Sequence, residues 1–390
     1  MKREQKFDFS KSLDRSGTDS LKWGVGKEEL PMWVADMDFE TVPAIKESIV
    51  RRAAHGIYGY TTIPPEWRKA VAGWWSRRHH FEMEEKGLLF CNGVIPAIAS
   101  ILRQVTMPGE QVLVQTPVYP HFFSSIEMNK RRVIENPLIY QKGEYLIDFD
   151  DLEKKLKRPQ VTAMLLCNPH NPIGKIWDRD TLLQIGQLCM ENQVFLISDE
   201  IHCDLTDPGY GYIPFASVSE SLAGAGATCS APTKTFNIPG IQTAFVYAQD
   251  LEIRKQLRLG IERDGIAETN VFAAQAAVAA YEEGEEWLDS LRDYIYDNKQ
   301  RVKAFLKKEL PEISLVEGHA TYLLWLDCSE ISHDSERLCR QIREKSGLWL
   351  SAGSAFRGNG SDFLRMNIAC QRDRLEDGLE RLKKGIRYEK

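Results

Sequence analysis

The chain has 390 residues, and its 43% hydrophobic and 27% charged residues are close to the averages of folded proteins. This composition excludes a disordered or fibrous chain, and no apolar run reaches the roughly 18 residues that a membrane-spanning helix needs. The net charge of −6 and the short basic clusters disfavour nucleic acid or an anionic membrane as the main partner. The first ten residues are charged throughout and lack the apolar centre of a secretory signal, which predicts a cytoplasmic protein.

Seven short runs rich in strand-forming residues lie between residues 87 and 247, mostly separated by segments with helical spacing. This alternation predicts an α/β unit with a mainly parallel central sheet. The predicted strands are Leu88–Cys91, Gln111–Val114, Arg132–Glu135, Thr162–Cys167, Val194–Ser198, Ala227–Cys229 and Ala244–Tyr247. The predicted helices of this region are Ile95–Val105, His121–Asn129, Asp180–Asn192 and Glu268–Glu282.

The pattern changes at about Glu285, where a long charged helical stretch begins. The elements predicted from there on are a helix at Glu286–Leu310, a strand at Tyr322–Leu326, a helix at Ser335–Lys345 and a last helix from about Arg372. They predict a smaller α+β domain of residues 285–390, joined by the N-terminal segment 1–43. Residues 44–284 are then the large domain, and a cleft is expected between the two.

Polar residues follow several of the predicted strands, and in open α/β sheets ligands bind beyond the carboxyl ends of the strands. Lys234 follows one strand in a run of small and turn-forming residues. A single loop lysine is most often a solvated surface charge. A partly desolvated lysine, however, has a lowered pKa and can form a Schiff base with a carbonyl group.

Three further positions have a chemical interpretation, and two of them have a structural one as well. Asp199, directly after a buried strand, is either a helix cap or turn residue, or a carboxylate that keeps a pyridinium nitrogen protonated. Asn171 lies in a rigid turn and is either an ordinary turn residue or a donor to a phenolate oxygen. Gly93 lies at a strand-to-helix junction, where free N–H groups and the helix dipole favour a phosphate.

In combination and in this order, these segments resemble the fold-type I pyridoxal-phosphate enzymes, the aspartate aminotransferase superfamily. The 28 positions from Asn171 to Asp199 match the separation in that superfamily. The segments 18–23, 30–39, 198–205 and 234–237 are similar to those of the MalY/PatB subgroup of carbon–sulfur β-lyases. The resemblance extends over nearly the whole chain and implies a fold-type I transferase fold, with a mainly parallel seven-stranded sheet and a smaller α+β domain.

The resemblance implies that pyridoxal 5′-phosphate is the cofactor, held by Lys234, which afterwards moves a proton. It also implies that Asp199 pairs with the ring nitrogen, that Asn171 donates to the ring oxygen, and that Tyr119 stacks on the ring. The phosphate contacts that it implies are the backbone N–H groups of Gly93, Val94 and Ile95, the hydroxyl groups of Ser230 and Thr233, and Tyr60 from a neighbouring subunit. The site would then be completed only in a homodimer.

On the substrate side, the resemblance implies that Arg365 binds the α-carboxylate in a bidentate pair and that the loop containing Ala35 forms a wall with backbone contacts. His202 stands where aminotransferases commonly have a tyrosine, and is either a cofactor contact or a structural histidine. Gln242 stands where many aminotransferases have an arginine for the phosphate, so neutral donors should do more of the phosphate binding. His79 lies in a basic stretch expected to be solvated, and no metal site is predicted.

The activity implied is cleavage of cystathionine or cysteine S-conjugates to a thiol, pyruvate and ammonia. An aminotransferase is the first alternative, favoured by the shared lysine, aspartate, asparagine and arginine but disfavoured by His202, Gln242 and the N-terminal signature. The second alternative is a regulatory binding protein, because some members of the subgroup modulate a transcription regulator.

Overall fold

The computed structural model describes residues 7–387. In that range the α-helices are α1 Pro43–Ala54, α2 Pro65–His79, α3 Val94–Val105, α4 Pro120–Glu127, α5 Phe149–Leu156, α6 Arg179–Glu191, α7 Glu220–Ala223, α8 Pro232–Thr235, α9 Leu251–Arg263, α10 Ala273–Glu283, α11 Glu285–Glu309, α12 Ser335–Ser346 and α13 Arg372–Ile386. The strands are β1 Leu30–Pro31, β2 Leu88–Cys91, β3 Gln111–Thr116, β4 Arg132–Pro137, β5 Ile139–Gln141, β6 Glu144–Leu146, β7 Val161–Cys167, β8 Phe195–Asp199, β9 Gly226–Ser230, β10 Ala244–Tyr247, β11 Ser314–Leu315, β12 Leu323–Asp327, β13 Leu348–Trp349, β14 Ser351–Ala352 and β15 Phe363–Asn367.

The central sheet has seven strands in the order β2-β10-β9-β8-β7-β3-β4. Only β10 runs antiparallel to its neighbours, so the predicted mainly parallel sheet is confirmed, and each of the seven predicted strands lies in it. Helices cover both faces, which explains why the inner strands are nearly continuous apolar runs. In β3, for example, Val112 and Val114 pack with α3 and α4, whereas Leu113 packs with α5 and α6 on the opposite face.

A second, antiparallel sheet of four strands lies in the C-terminal part, in the order β11-β12-β15-β14. The N-terminal segment joins this part through β1, whose Leu30 pairs with Leu348 of β13. The predicted α+β character of this part is therefore observed. The domain bounds at residues 43/44 and 284/285 stay a prediction.

Helices α1 and α2, which the sequence patterns above do not predict, lie between the N-terminal segment and the central sheet in the chain. Helix α2 buries Trp67, Trp74 and Trp75 in the largest apolar cluster. Within residues 7–387, none of the helices combines the length and the apolar character required to span a bilayer.

Candidate active site

A cavity of about 220 Å³ lies where β2, β3, β7, β8 and β9 end. The predicted site residues that line it are Ala35, Gly93, Val94, Ile95, Tyr119, Asn171, Asp199, His202, Thr233 and Lys234. Gln242, at the position of the phosphate-binding arginine of many aminotransferases, also lines it, and the lining residues that the sequence did not indicate are Asn92, Pro96, Cys167, Ile201 and Pro239. The topology brings these segments together because the carboxyl ends of parallel strands meet at one edge of the sheet.

Lys234 lies on the short helix α8, directly after β9, and its amine is inside the cavity. Its Nζ donates a hydrogen bond to the carbonyl oxygen of Ala35 at 2.6 Å. Burial, together with the charge of Arg365, lowers the pKa of Lys234 to about 8. A larger fraction of the amine is therefore neutral near pH 7 than in a solvated lysine, as a nucleophile or a base requires.

Asp199 ends β8 at the floor of the cavity, and its Oδ1 accepts a hydrogen bond from the backbone N–H of Ile201 at 3.1 Å. Burial raises the pKa of Asp199 to about 7, whereas that hydrogen bond and the charge of Lys234 lower it. The turn role considered from the sequence is thus present, but the carboxyl group also faces the cavity. A cationic ring nitrogen placed there would favour the carboxylate form.

Arg365 on β15 is a buried guanidinium behind the cavity. Its Nη1 donates to Oδ1 of Asn171 at 3.3 Å and its Nη2 to the carbonyl oxygen of Trp33 at 2.9 Å. Its Nε is buried without a hydrogen-bond partner, and no carboxylate in residues 7–387 lies within ion-pair distance of it. Burial lowers the pKa of Arg365 to about 10. A buried cation without an acidic partner is suited to bind an anion such as a substrate carboxylate.

The opposite end of the cavity is formed by the start of α3. Gly93 precedes the first turn of this helix in an extended conformation, and a Cβ there would come within 3.1 Å of Pro96. The free N–H groups of the helix and neutral side chains, including Gln242, thus form a site that suits a phosphate group.

His202 lines the cavity as a neutral imidazole, because burial lowers its pKa to about 3. Its ring packs edge-on against Tyr322, with ring centroids 6.3 Å apart. Tyr322 is a site residue that the sequence does not indicate, and its hydroxyl group donates to the Ala35 carbonyl oxygen at 3.0 Å. Because these two residues are 287 positions apart, no local pattern could have indicated the contact.

Besides Arg365, which lies behind the cavity, three expectations from the sequence differ from the structure or fall outside the cavity. Ser230 does not line it, because its hydroxyl group points to Glu200 and donates to that residue's carbonyl oxygen at 3.1 Å. Tyr60 is fully exposed and lies outside the cavity of its own chain. The expectation that His79 is solvated is wrong, since its side chain is buried and contacts Asp204 at 2.9 Å.

His79, Cys203 and Asp204 bring their potential ligand atoms within 4.8 Å of one another. The oxygens of Asp204 already accept hydrogen bonds from Trp74 Nε1 at 2.9 Å and from the Thr235 hydroxyl group at 2.8 Å. Asp204 and its partners thus form a hydrogen-bond network that connects α2 to α8, the helix that contains Lys234. The absence of a metal site stays a prediction.

The family profile of aminotransferase class I and II matches residues 28–382. The chain belongs to this family. It is 41% identical to cystathionine beta-lyase PatB of Bacillus subtilis (strain 168), over 97% of this chain and 99% of that one. Among solved structures, cystalysin of Treponema denticola, which contains pyridoxal 5′-phosphate, is similar with a TM-score of 0.94 and 33% identity, over 98% and 100% of the two chains.

A pyridoxal-phosphate-bound C–S lyase of Staphylococcus hominis is similar with a TM-score of 0.92 and 31% identity, over 98% of each chain. These similarities confirm the fold-type I architecture and the family resemblance that the sequence motifs predicted. They extend over both the central sheet and the C-terminal sheet, so the whole described fold is shared.

Proposed function

We propose that this protein is a pyridoxal-phosphate-dependent carbon–sulfur β-lyase, which cleaves cystathionine or cysteine S-conjugates to a thiol, pyruvate and ammonia. The observation that carries the proposal is one cavity that contains the buried amine of Lys234 and the carboxyl group of Asp199, with Arg365 behind it. The whole-length identity to a cystathionine β-lyase supports this choice of reaction within the family.

The side chains of the cavity fit the cofactor. Lys234 would hold its aldehyde carbon, Asp199 its ring nitrogen and Asn171 its ring oxygen. Burial raises the pKa of Tyr119 to about 12, so its phenol stays neutral beside the ring. Thr233 and the N–H groups at the start of α3 would bind the phosphate. When bound, pyridoxal phosphate supplies an electron sink that stabilises negative charge at the substrate α-carbon.

The protein's own groups then bind and orient the substrate and move one proton. Arg365 binds the α-carboxylate and so fixes the direction of the Cα–H bond. Lys234, once its amine is free, is the general base for the α-proton, because its pKa of about 8 is close to a working pH near neutrality. His202 is neutral and cannot donate as an imidazolium. The thiolate leaving group needs no strong acid, since thiols have a pKa of about 8.5.

We further propose that the active unit is a homodimer in which Tyr60 reaches the phosphate site of the neighbouring copy. The support is local: Ile57, Tyr58 and Tyr60 are all exposed in one short segment. A second copy that covers this segment would bury the apolar surface of these three side chains.

An aminotransferase remains the alternative reaction, because the same lysine, aspartate, asparagine and arginine serve both. The two reactions share removal of the α-proton and differ afterwards in whether the β-substituent of the substrate leaves. Gln242 in place of a phosphate-binding arginine separates this chain from many aminotransferases.

The test is turnover of L-cystathionine by purified protein and pyridoxal phosphate with no keto acid present. A β-lyase releases pyruvate and free thiol in equal amounts over many turnovers. Lys234→Ala, which lacks the only lysine amine lining the described cavity, should release neither. Turnover that requires an added keto acid, with pyruvate at most stoichiometric with protein, would establish the transaminase instead.

A further inference from the structure

One carbonyl oxygen of the site accepts two hydrogen bonds. Lys234 Nζ and Tyr322 Oη both donate to the oxygen of Ala35, at 2.6 and 3.0 Å. We propose that Tyr322 is a positioning residue for the reaction: it holds the Ala35 carbonyl in place and weakens that oxygen's hold on the lysine ammonium. This inference rests on the proposed function, in which the free amine of Lys234 must accept a proton.

The fold fixes the Tyr322 hydroxyl group firmly. The side chain is fully buried just before β12, and its ring lies edge-on to His202. The backbone on either side is also held, because Thr321 N donates to Leu205 O at 2.6 Å and Ile368 N donates to Tyr322 O at 2.9 Å. The phenol therefore reaches Ala35 from a rigid support.

The acceptor is fixed as well. The carbonyl oxygens of Val34 and Asp36, which flank Ala35 in the loop, both accept hydrogen bonds from Asn367 Nδ2 at 2.6 Å. With its neighbours held on both sides, the Ala35 oxygen cannot rotate freely towards either donor. Lys234 and Tyr322 must share it in one geometry.

Tyr322 remains a neutral donor because burial raises the pKa of its phenol well above the ordinary range. The positive end of its O–H dipole lies at the oxygen that also stabilises the lysine ammonium, so it opposes protonation of Lys234. The charged groups that face this pair are Arg365, Asp36 and Asp199. The other titratable neighbours are Tyr119 and the neutral His202. A change of Tyr322 to phenylalanine leaves all of them in place.

The consequence is that a larger fraction of the free Lys234 amine is neutral and can act as a base. A carbonyl with a single donor would bind the ammonium form of the released lysine more strongly and raise its pKa. Because Tyr322 also donates to this oxygen, the Lys234 amine can still bind to it, but the protonated form of the amine is stabilised less.

Tyr322→Phe tests this inference in the full-length chain. Protein freed of cofactor is mixed rapidly with pyridoxal phosphate at a series of pH values, and capture is followed by absorbance. Because only the neutral amine attacks the aldehyde, the midpoint of the rate profile reports the pKa of free Lys234. We expect the midpoint to rise by about 0.5 to 1 pH unit in the variant, as loss of one neutral hydrogen bond would produce.

The matched control is Tyr145→Phe, which removes a buried tyrosine hydroxyl that donates to Asn359 at 2.9 Å, outside the cavity. Its midpoint should equal that of the wild type. In turnover of cystathionine at pH 7, Tyr322→Phe should lower kcat about three- to tenfold and leave KM within about twofold, since the carboxylate clamp is intact.

A midpoint that stays in place or falls in folded Tyr322→Phe refutes the inference. If that variant does not fold, 3-fluorotyrosine at position 322 keeps the hydroxyl group as a stronger donor. The midpoint should then fall, and an unchanged or higher value refutes the inference. Wild-type protein that captures no pyridoxal phosphate refutes the proposed function and this inference with it, whereas capture with an unmoved midpoint refutes the inference alone.

Discussion

Arg365→Met removes the buried guanidinium of the site and keeps most of its volume. In the described structure this cation has polar neighbours, Asn171 and Trp33, but no acidic partner. Mutations commonly lower substrate affinity and protein stability together. This substitution should instead weaken substrate binding, while the stability of the protein without substrate should be retained.

The expected size follows from the contacts. Loss of a charge-assisted bidentate pair with the substrate carboxylate should cost about 2–4 kcal/mol, which corresponds to about a 30- to 1000-fold higher KM. The lowering of the Arg365 pKa to about 10 corresponds to about 3 kcal/mol against the charged form in the folded chain. This cost applies at every pH below 10 and is absent from the methionine variant. Three acceptors lose their donor, the third being the Ser351 hydroxyl group at 3.4 Å, so we expect the free energy of unfolding to stay equal or to rise by about 1–2 kcal/mol.

The assay is steady-state cleavage of cystathionine, combined with urea unfolding of the substrate-free protein at pH 7. The matched control is Arg343→Met, which removes an arginine paired with Glu29 outside the cavity and should leave KM unchanged. A normal KM in Arg365→Met would show that another group binds the carboxylate. A loss of several kcal/mol of stability would show that the guanidinium is a structural ion rather than a binding group.

Three further substitutions test other parts of the site. Asp199→Asn should still capture the cofactor but lose about 100-fold or more in kcat, because an amide cannot stabilise a protonated ring nitrogen; near-normal turnover would contradict its role. Asp204→Asn should cost about 2–3 kcal/mol in urea unfolding at pH 7. The low pKa of the Asp204 carboxyl group stabilises the wild type above about pH 4 and this contribution is lost as pH falls further, so the difference between the two proteins should shrink in acid. Tyr60→Phe should weaken pyridoxal phosphate binding about tenfold and leave monomer unfolding unchanged, since the hydroxyl group is solvent-exposed in one chain; equal affinity would argue against the shared site.

The central sheet could be predicted because its inner strands are apolar on both faces and end in polar residues. In β7 and β8, the buried runs lead directly to Asn168 and to Asp199, so strand and site are indicated by the same few positions. The strand endings, together with the family resemblance, then predicted Asn171, Asp199 and Lys234 at one edge of the sheet, where all three line the cavity.

The contacts that set the chemistry of Lys234 could not be predicted in this way. Its hydrogen bond to Ala35 joins positions 199 apart, and it exists only because the N-terminal loop folds over the sheet.

The prediction for His79 was wrong for a different reason, because the run of basic residues at 77–80 indicates a solvated stretch. His79 lies one turn after the buried Trp75 on α2, and the centroids of the two rings are 5.3 Å apart. The helical periodicity could therefore have indicated burial of His79.

Borohydride reduction of the protein in the presence of pyridoxal phosphate, followed by peptide mass spectrometry, is the most direct test of Lys234 as the residue that holds the cofactor. The structure predicts the mass of the reduced cofactor on the peptide that contains Lys234, together with loss of pyruvate release from cystathionine in the same sample. Stoichiometric labelling of a different lysine, with that activity lost, would contradict the assignment of this cavity as the active site.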